Sequence, residues 1–243
     1  MTVYLVGAGP GNPDLLTLRA ARLLSLADVV IYDRLTTSAM LDLLGDEALR
    51  VDVGKAVGST SMNQDQINEL LVQHGRSAGI VVRLKGGDPY VFGRGGEEAR
   101  VLIEARIPFE VVPGVSSAIA APSAAGIPVT MRHHAQSFTV VTGHEDPLAS
   151  SEVNWEALAA SRTTLVILMG VGRIRHIAER LMAGGLGADT PVAVIHWATT
   201  EDQWVLRTTL GEVGSESLRA PSTIVVGSVA SLDLRYSSEM TPP

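Results

Sequence analysis

The chain of 243 residues contains no cysteine, which excludes disulfides, a thiolate nucleophile and thiolate-bound zinc or iron–sulfur clusters. Aromatic residues make up only 4%, too few for platforms on which nucleic-acid bases stack. Acidic residues outnumber basic ones by 26 to 19, and the net charge of −7 argues against a nucleic-acid surface. No apolar run approaches the roughly 18 residues of a membrane span, and the amino terminus lacks a signal-peptide pattern. We therefore expect a cytoplasmic protein that binds neither nucleic acid nor membrane.

Short apolar runs alternate with helix-period segments, a pattern typical of an α/β fold with mostly parallel or mixed sheets flanked by helices. At roughly 150 residues per domain, the length predicts one to two domains. We place the boundary near residues 132–136, giving domains 1–133 and 134–243. The predicted strands are Val3–Val6, Val29–Tyr32, Ile80–Leu84, Phe109–Val112, Ser137–Thr142, Leu165–Met169, Pro191–His196, Thr223–Val226 and, as an antiparallel or edge strand, Gln203–Thr208.

Capping residues predict where several helices begin and end. Asn12 and Pro13 suit the start of the first helix. Ser61 and Gln64 resemble a capping box for a helix that Gly75 would end. Further helices are expected over Glu97–Ala105, from residue 115 to Ala125 and over Ile174–Met182.

The first glycine-rich loop, Gly7–Gly11, follows a strand and precedes a helix, and Asp33 ends the next strand. A nicotinamide- or flavin-binding fingerprint has this arrangement. However, Asn12 stands where the third fingerprint glycine belongs, and Pro10 and Pro13 remove backbone N–H groups that would donate to pyrophosphate. The loop therefore favours a ligand without phosphate at this position.

A second and a third loop also carry glycine. The segment from Arg83 to Glu98 combines several glycines, which let backbone carbonyls approach a ligand, with the fixed negative charge of Asp88. Both features suit a cation such as a sulfonium, although a long surface loop that needs glycine for its turns is the structural alternative. In the third loop, Ser116 and Ser117 lie at a helix start, which taken alone is an ordinary cap.

Together these motifs resemble the uroporphyrinogen-III C-methyltransferase family of the tetrapyrrole methylases, which use S-adenosyl-L-methionine. The resemblance covers nearly the whole chain, and the long loop after Arg83 is its most specific part. The matching stretches are Val6–Gly11, Leu15–Thr17, Tyr32–Leu35, Val53–Lys55, Arg83–Glu98, Val111–Gly114, Gly126–Pro128, Val141–His144 and Met169–Gly170. Met131 departs from the family, because many relatives have histidine there.

The resemblance implies a two-domain tetrapyrrole methylase fold, with the methyl donor between the domains, usually in a homodimer. It implies methylation of uroporphyrinogen III at C2 and C7, through precorrin-1 to precorrin-2, for sirohaem or cobalamin synthesis. S-adenosyl-L-homocysteine would be the second product, and no metal is needed. Because the match begins at residue 3, we expect this chain to lack the dehydrogenase and chelatase domain of fused sirohaem synthases. The implied donor-binding residues are Pro10, Gly86, Gly87, Asp88, Val91, Ser116, Ser117, Met169 and Ala198.

The family implies that Asp33 and Lys55 handle protons, since the methylated macrocycle must lose one. Lys55 and Lys85 are the only lysines among the 19 basic residues, and both lie in family-matching loops. Two structural alternatives remain for Asp33, an ion pair with Arg34 or a helix cap. Lys55 could equally be a solvated loop lysine.

The implied substrate carries eight carboxylates, so an acidic protein must concentrate its basic groups locally. Arg94 and Arg132 are the candidates, and Glu97 could orient an arginine or contact a pyrrole N–H. His133 and His134 are weaker candidates. Each of these residues could instead be an ordinary surface group. The histidines show no metal-ligand spacing, and His74 on a helical face reads as structural.

Three other functions remain open at this point. Another precorrin C-methyltransferase would share the donor pocket but not the acceptor. A nicotinamide-dependent oxidoreductase and a tetrapyrrole-binding module without catalytic activity belong to different classes.

Overall fold

The computed structural model describes residues 1–54, 62–144 and 153–235, so Lys55 and Ser61 lie outside the described residues. The chain divides into two compact units, Met1–Ser116 and Ser117–Pro243. This division lies before helix α5 (Ser117–Ala124), whereas the sequence analysis placed the boundary after it. The physical reason is packing, because Ala121 of this helix shares a buried cluster with Ile195 and Val225 of the second unit's sheet.

The first unit contains a five-stranded parallel sheet in the order β3-β2-β4-β1-β5. Its strands are β1 (Thr2–Gly7), β2 (Val29–Tyr32), β3 (Leu49–Asp52), β4 (Ile80–Lys85) and β5 (Phe109–Val112). Strand β3 was not predicted, since it is a partly polar edge strand with little buried surface. All five carboxyl ends meet at one edge of the sheet, where ligands bind in open α/β sheets.

Helices α1 (Leu18–Ser25), α2 (Ser38–Leu41), α3 (Gln64–Ser77) and α4 (Gly95–Glu104) flank this sheet. The prediction that Asn12 begins the first helix was wrong, because Asn12 caps a short 3-10 turn and the helix starts after Thr17. The hydroxyl of Thr17 accepts a hydrogen bond from the backbone N–H of Ala20. An α-helix and a 3-10 turn begin with the same capping residues, so the sequence did not separate them.

The start and end of α3 also differ from the prediction. Asn63 is its N-cap, and Asn63 and Gln66 form the reciprocal capping box. Gly75 lies inside the helix rather than ending it. A Cβ atom at this position would lie 3.0 Å from side-chain atoms of Ile107 and Val3, so the glycine allows close packing of the helix on the sheet.

The second unit contains a mixed sheet in the order β6-β7-β10-β8-β9. Its strands are β6 (Phe138–Thr142), β7 (Thr164–Leu168), β8 (Pro191–His196), β9 (Trp204–Thr209) and β10 (Ser222–Val226). Strand β9 is antiparallel to β8 at the edge, which confirms that prediction. The last strand in sequence, β10, lies between β7 and β8 and runs antiparallel to both.

Helices α5, α6 (Trp155–Ala160) and α7 (Ile174–Ala183) accompany this sheet. A buried cluster joins Trp155 of α6 and Leu181 of α7 to Ile167 of β7. None of the helices in the described ranges is both long and apolar enough to cross a membrane.

Candidate active site

The loops at the carboxyl edge of the first sheet are joined to one another through backbone hydrogen bonds. The N–H of Gly9, after β1, donates to the carbonyl of Gly87, after β4, over 3.1 Å. The N–H of Gly87 donates in return to the carbonyl of Gly9 over 2.7 Å. The first two glycine-rich loops therefore form one connected backbone layer.

The third loop reaches the same layer because three glycines permit close backbone contact. A Cβ atom on Gly114 would lie 2.3 Å from the carbonyl oxygen of Gly87. One on Gly7 would lie 2.5 Å from the Cα atom of Gly114. Only glycine fits at such distances. The approach of the second loop's carbonyls to a ligand stays a prediction, and the carbonyl of Gly87 already accepts the hydrogen bond from Gly9.

Asp88 fastens these loops with its side chain. Its Oδ2 accepts a hydrogen bond from the N–H of Gly114 over 3.1 Å, and its Oδ1 accepts one from the N–H of Tyr90 over 2.8 Å. The carboxylate thus has a structural task in addition to the charge that it brings to this edge.

The chemistry of this edge fits a cationic ligand better than a phosphate. The loops contain Pro10, Pro13, Pro89 and Pro113, none of which has a backbone N–H to donate. Asp88 adds a carboxylate there. Six of the expected donor-binding residues lie in the loops after β1, β4 and β5 of the first unit, namely Pro10, Gly86, Gly87, Asp88, Val91 and Ser116.

Asp33 follows β2 at the same edge and keeps part of its side chain exposed. Its Oδ1 accepts from the backbone N–H of Leu35 over 3.0 Å. Its Oδ2 lies 3.9 Å from Nη2 of Arg83, a buried residue of β4. The ion pair considered for Asp33 therefore involves Arg83 rather than Arg34, because the parallel register places Arg83 opposite Ile31 of β2.

Arg83 belongs to a buried group of charged residues that the sequence analysis did not find. Its Nε donates to Oε1 of Glu98 over 3.1 Å, and Nζ of Lys85 donates to the same oxygen over 2.8 Å. All three side chains are at most 4% exposed. Burial, and then the charge of Arg83, lower the pKa of Lys85, while Glu98 opposes the shift.

A signal for this cluster was present in the sequence. Arg83 and Lys85 are two residues apart in a strand, so their side chains point to the same face. The strand is otherwise apolar, and an acidic residue on the following helix is the natural partner for two buried cations.

Arg94 and Glu97 form a bidentate pair at the start of α4. Nε and Nη2 of Arg94 donate to the two carboxylate oxygens of Glu97 over 2.8 and 2.6 Å. This hydrogen bonding lowers the pKa of Glu97. Arg94 has a left-handed backbone with φ of 57°, as does Phe92 with φ of 54°. Such strain in residues other than glycine clusters at functional sites.

In the second unit, Met169 and Ala198 follow β7 and β8, whose carboxyl ends lie at one edge because β10 is antiparallel to both. Met169 has a left-handed φ of 56° and is 53% exposed. Trp197 and Thr199, on either side of Ala198, also have positive φ, of 40° and 68°. Left-handed backbone therefore occurs at Met169 itself and at both neighbours of Ala198, as is common at functional sites.

The remaining predicted residues of the second unit lie elsewhere along the chain. Ser117 is the first residue of α5. Arg132 is exposed in the turn between α5 and β6, together with His133 and His134. Within the described ranges, no three His, Asp or Glu side chains come together as metal ligands would.

Comparison with known proteins shows which family has this arrangement. The family model for tetrapyrrole (corrin/porphyrin) methylases matches residues 2–214. An S-adenosyl-L-methionine-dependent uroporphyrinogen III methyltransferase of Methanosarcina barkeri is 52% identical over 235 residues, covering 95% of this chain and 92% of that protein. A siroheme synthase of Chromobacterium violaceum is 49% identical, and the chain spans 50% of its length.

Among solved structures, a uroporphyrin-III C-methyl transferase from Thermus thermophilus, complexed with S-adenyl homocysteine, has a TM-score of 0.83 to this chain. The two are 40% identical, with coverage of 95% of this chain and 94% of the other. Sequence and fold agree over almost the full length. The chain therefore belongs to the tetrapyrrole (corrin/porphyrin) methylases, and its match to their uroporphyrinogen-III C-methyltransferases extends over nearly all of it.

Proposed function

We propose that the chain transfers methyl groups from S-adenosyl-L-methionine to C2 and C7 of uroporphyrinogen III, giving precorrin-2 through precorrin-1. The observation that carries this function is the full-length match to relatives named for that reaction. The connected glycine loops and carboxylates of the first unit support it, because they suit a sulfonium cation.

The donor supplies a methyl carbon for in-line displacement by an electron-rich pyrrole carbon, so the main task of the protein is positioning. The backbone layer around Gly9, Gly87 and Gly114 gives the first unit a rigid edge for this task. Asp88 both fastens that edge and offers a negative charge to the sulfonium. Met169 and Ala198 are proposed as further donor-binding residues on the family resemblance.

Asp33 is proposed to accept the proton that the macrocycle loses after methylation. The hydrogen bond from Leu35 and the neighbouring Arg83 orient its carboxylate, while its exposed part leaves an oxygen accessible to substrate. General bases of this kind typically contribute about 10²- to 10⁴-fold in rate. Lys55 remains proposed as the second proton-handling residue on the family resemblance alone.

Arg94, Glu97 and Arg132 are proposed to bind the substrate. Arg94 and Arg132 are exposed, and guanidinium groups bind carboxylates in bidentate fashion. The pairing of Arg94 with Glu97 holds the arginine fork in a defined orientation before substrate arrives. The pair can therefore select a carboxylate geometry rather than merely attract negative charge.

We further propose a homodimer located in the cytoplasm. The dimer rests on the family resemblance, and sedimentation equilibrium tests it. The cytoplasmic location rests on the chemistry of the substrate, because a reduced porphyrinogen needs a reducing compartment. Cell fractionation with an antibody against the chain tests that location.

The activity is tested by incubating purified protein with methyl-labelled S-adenosyl-L-methionine and uroporphyrinogen III under anaerobic conditions. We expect a product with two added methyl groups by mass spectrometry, formed in step with S-adenosyl-L-homocysteine. Methylation of a later precorrin without reaction of uroporphyrinogen III would instead identify another precorrin methyltransferase.

The same preparation separates the other two alternatives. A nicotinamide-dependent oxidoreductase would change NAD(P)H fluorescence on binding, and we expect no change. A binding module would retain porphyrinogen without consuming the donor.

A further inference from the structure

The structure contains a buried charged group that the proposed reaction does not use directly. Arg83 bridges two carboxylates, since its Nε donates to Glu98 and its Nη2 lies 3.9 Å from Asp33. Glu98 is fully buried and lies on α4, whereas Asp33 follows β2 and is partly exposed. Two separate elements are therefore connected to one another through a single guanidinium.

We propose that Glu98 and Lys85 are positioning residues, which hold the Arg83 guanidinium so that it orients the Asp33 carboxylate for proton removal. This inference rests on the proposed role of Asp33 as the proton acceptor. Neither Glu98 nor Lys85 is proposed to contact substrate.

The orientation of Arg83 is determined by four contacts. In addition to its bond with Glu98, Nη1 donates to the carbonyls of Ile31 over 3.3 Å and Leu84 over 3.1 Å. These bonds use Nε and Nη1, which lie on opposite sides of the planar group, and Nη2 is the nitrogen that faces Asp33. A planar guanidinium cannot satisfy these partners in a second orientation without losing some of them.

Glu98 accepts all of its hydrogen bonds on one oxygen. Its Oε1 contacts Nε of Arg83, Nζ of Lys85 and, over 3.3 Å, Nε2 of Gln64. Its Oε2 is buried and has no hydrogen-bond partner among the residues that the structure describes. An orphaned carboxylate oxygen is costly, and a buried network of charges is a poor means of stabilising a fold compared with apolar packing. We therefore attribute the network to the positioning of the Arg83 guanidinium rather than to stabilisation of the fold.

Lys85 balances the charge of this network. With Lys85, the two cations Arg83 and Lys85 match the two carboxylates Glu98 and Asp33. Without Lys85, Arg83 would be the one cation of the group facing both carboxylates, and it would compensate the charge of Asp33 less completely. The orientation of the Asp33 carboxylate and the charge around it therefore both depend on the buried residues Glu98 and Lys85.

The test is a double-mutant cycle between Glu98→Gln and Asp33→Asn, measured as kcat and KM of methyl transfer. Glutamine keeps the shape and the Oε1 acceptor but removes the charge. We expect Glu98→Gln to lower kcat about 10-fold when Asp33 is present and less than about 2-fold when residue 33 is asparagine. The KM for the donor should stay within about 2-fold, because the Glu98 side chain hydrogen bonds to Arg83, Lys85 and Gln64, none of which is an expected donor-binding residue.

Gln64→Ala is the matched control, since it removes the longest contact to the same Glu98 oxygen, together with a hydrogen bond to Asn68, and should leave kcat unchanged within about 2-fold. Lys85→Met is the second variant, and it keeps the inference testable if Glu98→Gln fails to fold. It should also lower kcat only when Asp33 is present. Thermal unfolding and circular dichroism verify that each variant is folded.

The outcomes separate this inference from the function on which it rests. Equal kcat losses in both backgrounds, or a rise in donor KM at unchanged kcat, would overturn the positioning role. Wild-type turnover by Asp33→Asn would instead remove the proposed role of Asp33, whatever Glu98→Gln does. Loss of kcat in Asp33→Asn with no effect of Glu98→Gln or Lys85→Met would overturn the inference alone.

Discussion

The carbonyl oxygen of Gly87 lies so close to the backbone of Gly114 that a Cβ atom on Gly114 would approach it to 2.3 Å. The two residues are 27 positions apart in sequence and follow β4 and β5, which lie on either side of β1 in the sheet. Their contact joins the loop after β4 to the loop after β5. The shape of the proposed donor site in the first unit depends on this contact.

Gly114→Ala should therefore destabilise the protein by about 1–3 kcal/mol, since backbone atoms on both sides of the new methyl group cannot yield easily. Urea unfolding measures the change. Gly96→Ala is the control, because a Cβ atom there meets nothing within 4 Å and alanine favours the helix that contains it. Equal stability of the two variants would contradict the close approach.

Asp88→Ala should weaken donor binding by at least about 10-fold, because it removes the carboxylate and both loop contacts. Calorimetry with S-adenosyl-L-homocysteine measures the loop contribution without the sulfonium charge. Asp88→Asn keeps one oxygen acceptor and removes the charge, so it should lose more affinity for S-adenosyl-L-methionine than for S-adenosyl-L-homocysteine. Equal losses of affinity for the two ligands would show that Asp88 only connects the loops and does not attract the sulfonium charge.

Arg94→Ala and Arg132→Ala should raise the KM for uroporphyrinogen III about 10-fold while donor affinity stays within about 2-fold. Steady-state kinetics with each substrate varied in turn measures both quantities. Arg19→Ala is the matched control, since Arg19 also forms an exposed bidentate pair, with Glu110, but is not proposed to bind substrate. Parallel losses for both substrates would reject this division of roles.

The stability of the second unit should depend on pH through Glu156. Hydrogen bonding to Arg180 lowers the pKa of Glu156 to about 2. A depressed carboxyl pKa contributes stability that is present above the ordinary value of 4.5 and is lost as the pH falls toward 2. Glu156→Gln should thus flatten the decline of unfolding free energy between pH 5 and pH 2, as followed by chemical unfolding at each pH. An unchanged slope would contradict the pairing.

Local patterns were sufficient for most of the fold. Buried strands such as β2 and β7 are short, largely apolar runs, and β9 is the antiparallel edge strand that was predicted. These patterns gave a wrong prediction where the same type of residue is compatible with two different local structures. Asn12 caps a 3-10 turn as readily as an α-helix, and Gly75 ends a helix or packs inside one depending on what approaches it.

Part of the candidate site could likewise be predicted from the sequence, and part of it could not. The loop sequence from Arg83 to Glu98 was specific enough to indicate the family. It did not reveal that Asp88 ties the loops together or that Arg83 pairs with Asp33, because both contacts cross between strands that are distant in sequence. Lys85 stood out as one of two lysines, and an acidic partner on the following helix could be expected, but the sequence did not show which of Glu97, Glu98 and Glu104 it would be.

The sequence by itself determined the α/β fold, the absence of thiol chemistry and the family to which the chain belongs. It also determined that prolines leave the loops with few backbone N–H groups. These properties depend on composition, short-range periodicity and contiguous motifs. Only the tertiary structure decided that β10 lies in the middle of its sheet, that α5 belongs to the second unit and that Arg83 connects Glu98 to Asp33. Each of these depends on which distant segments pack together, and the free energy of that packing is a property of the whole fold rather than of any local segment.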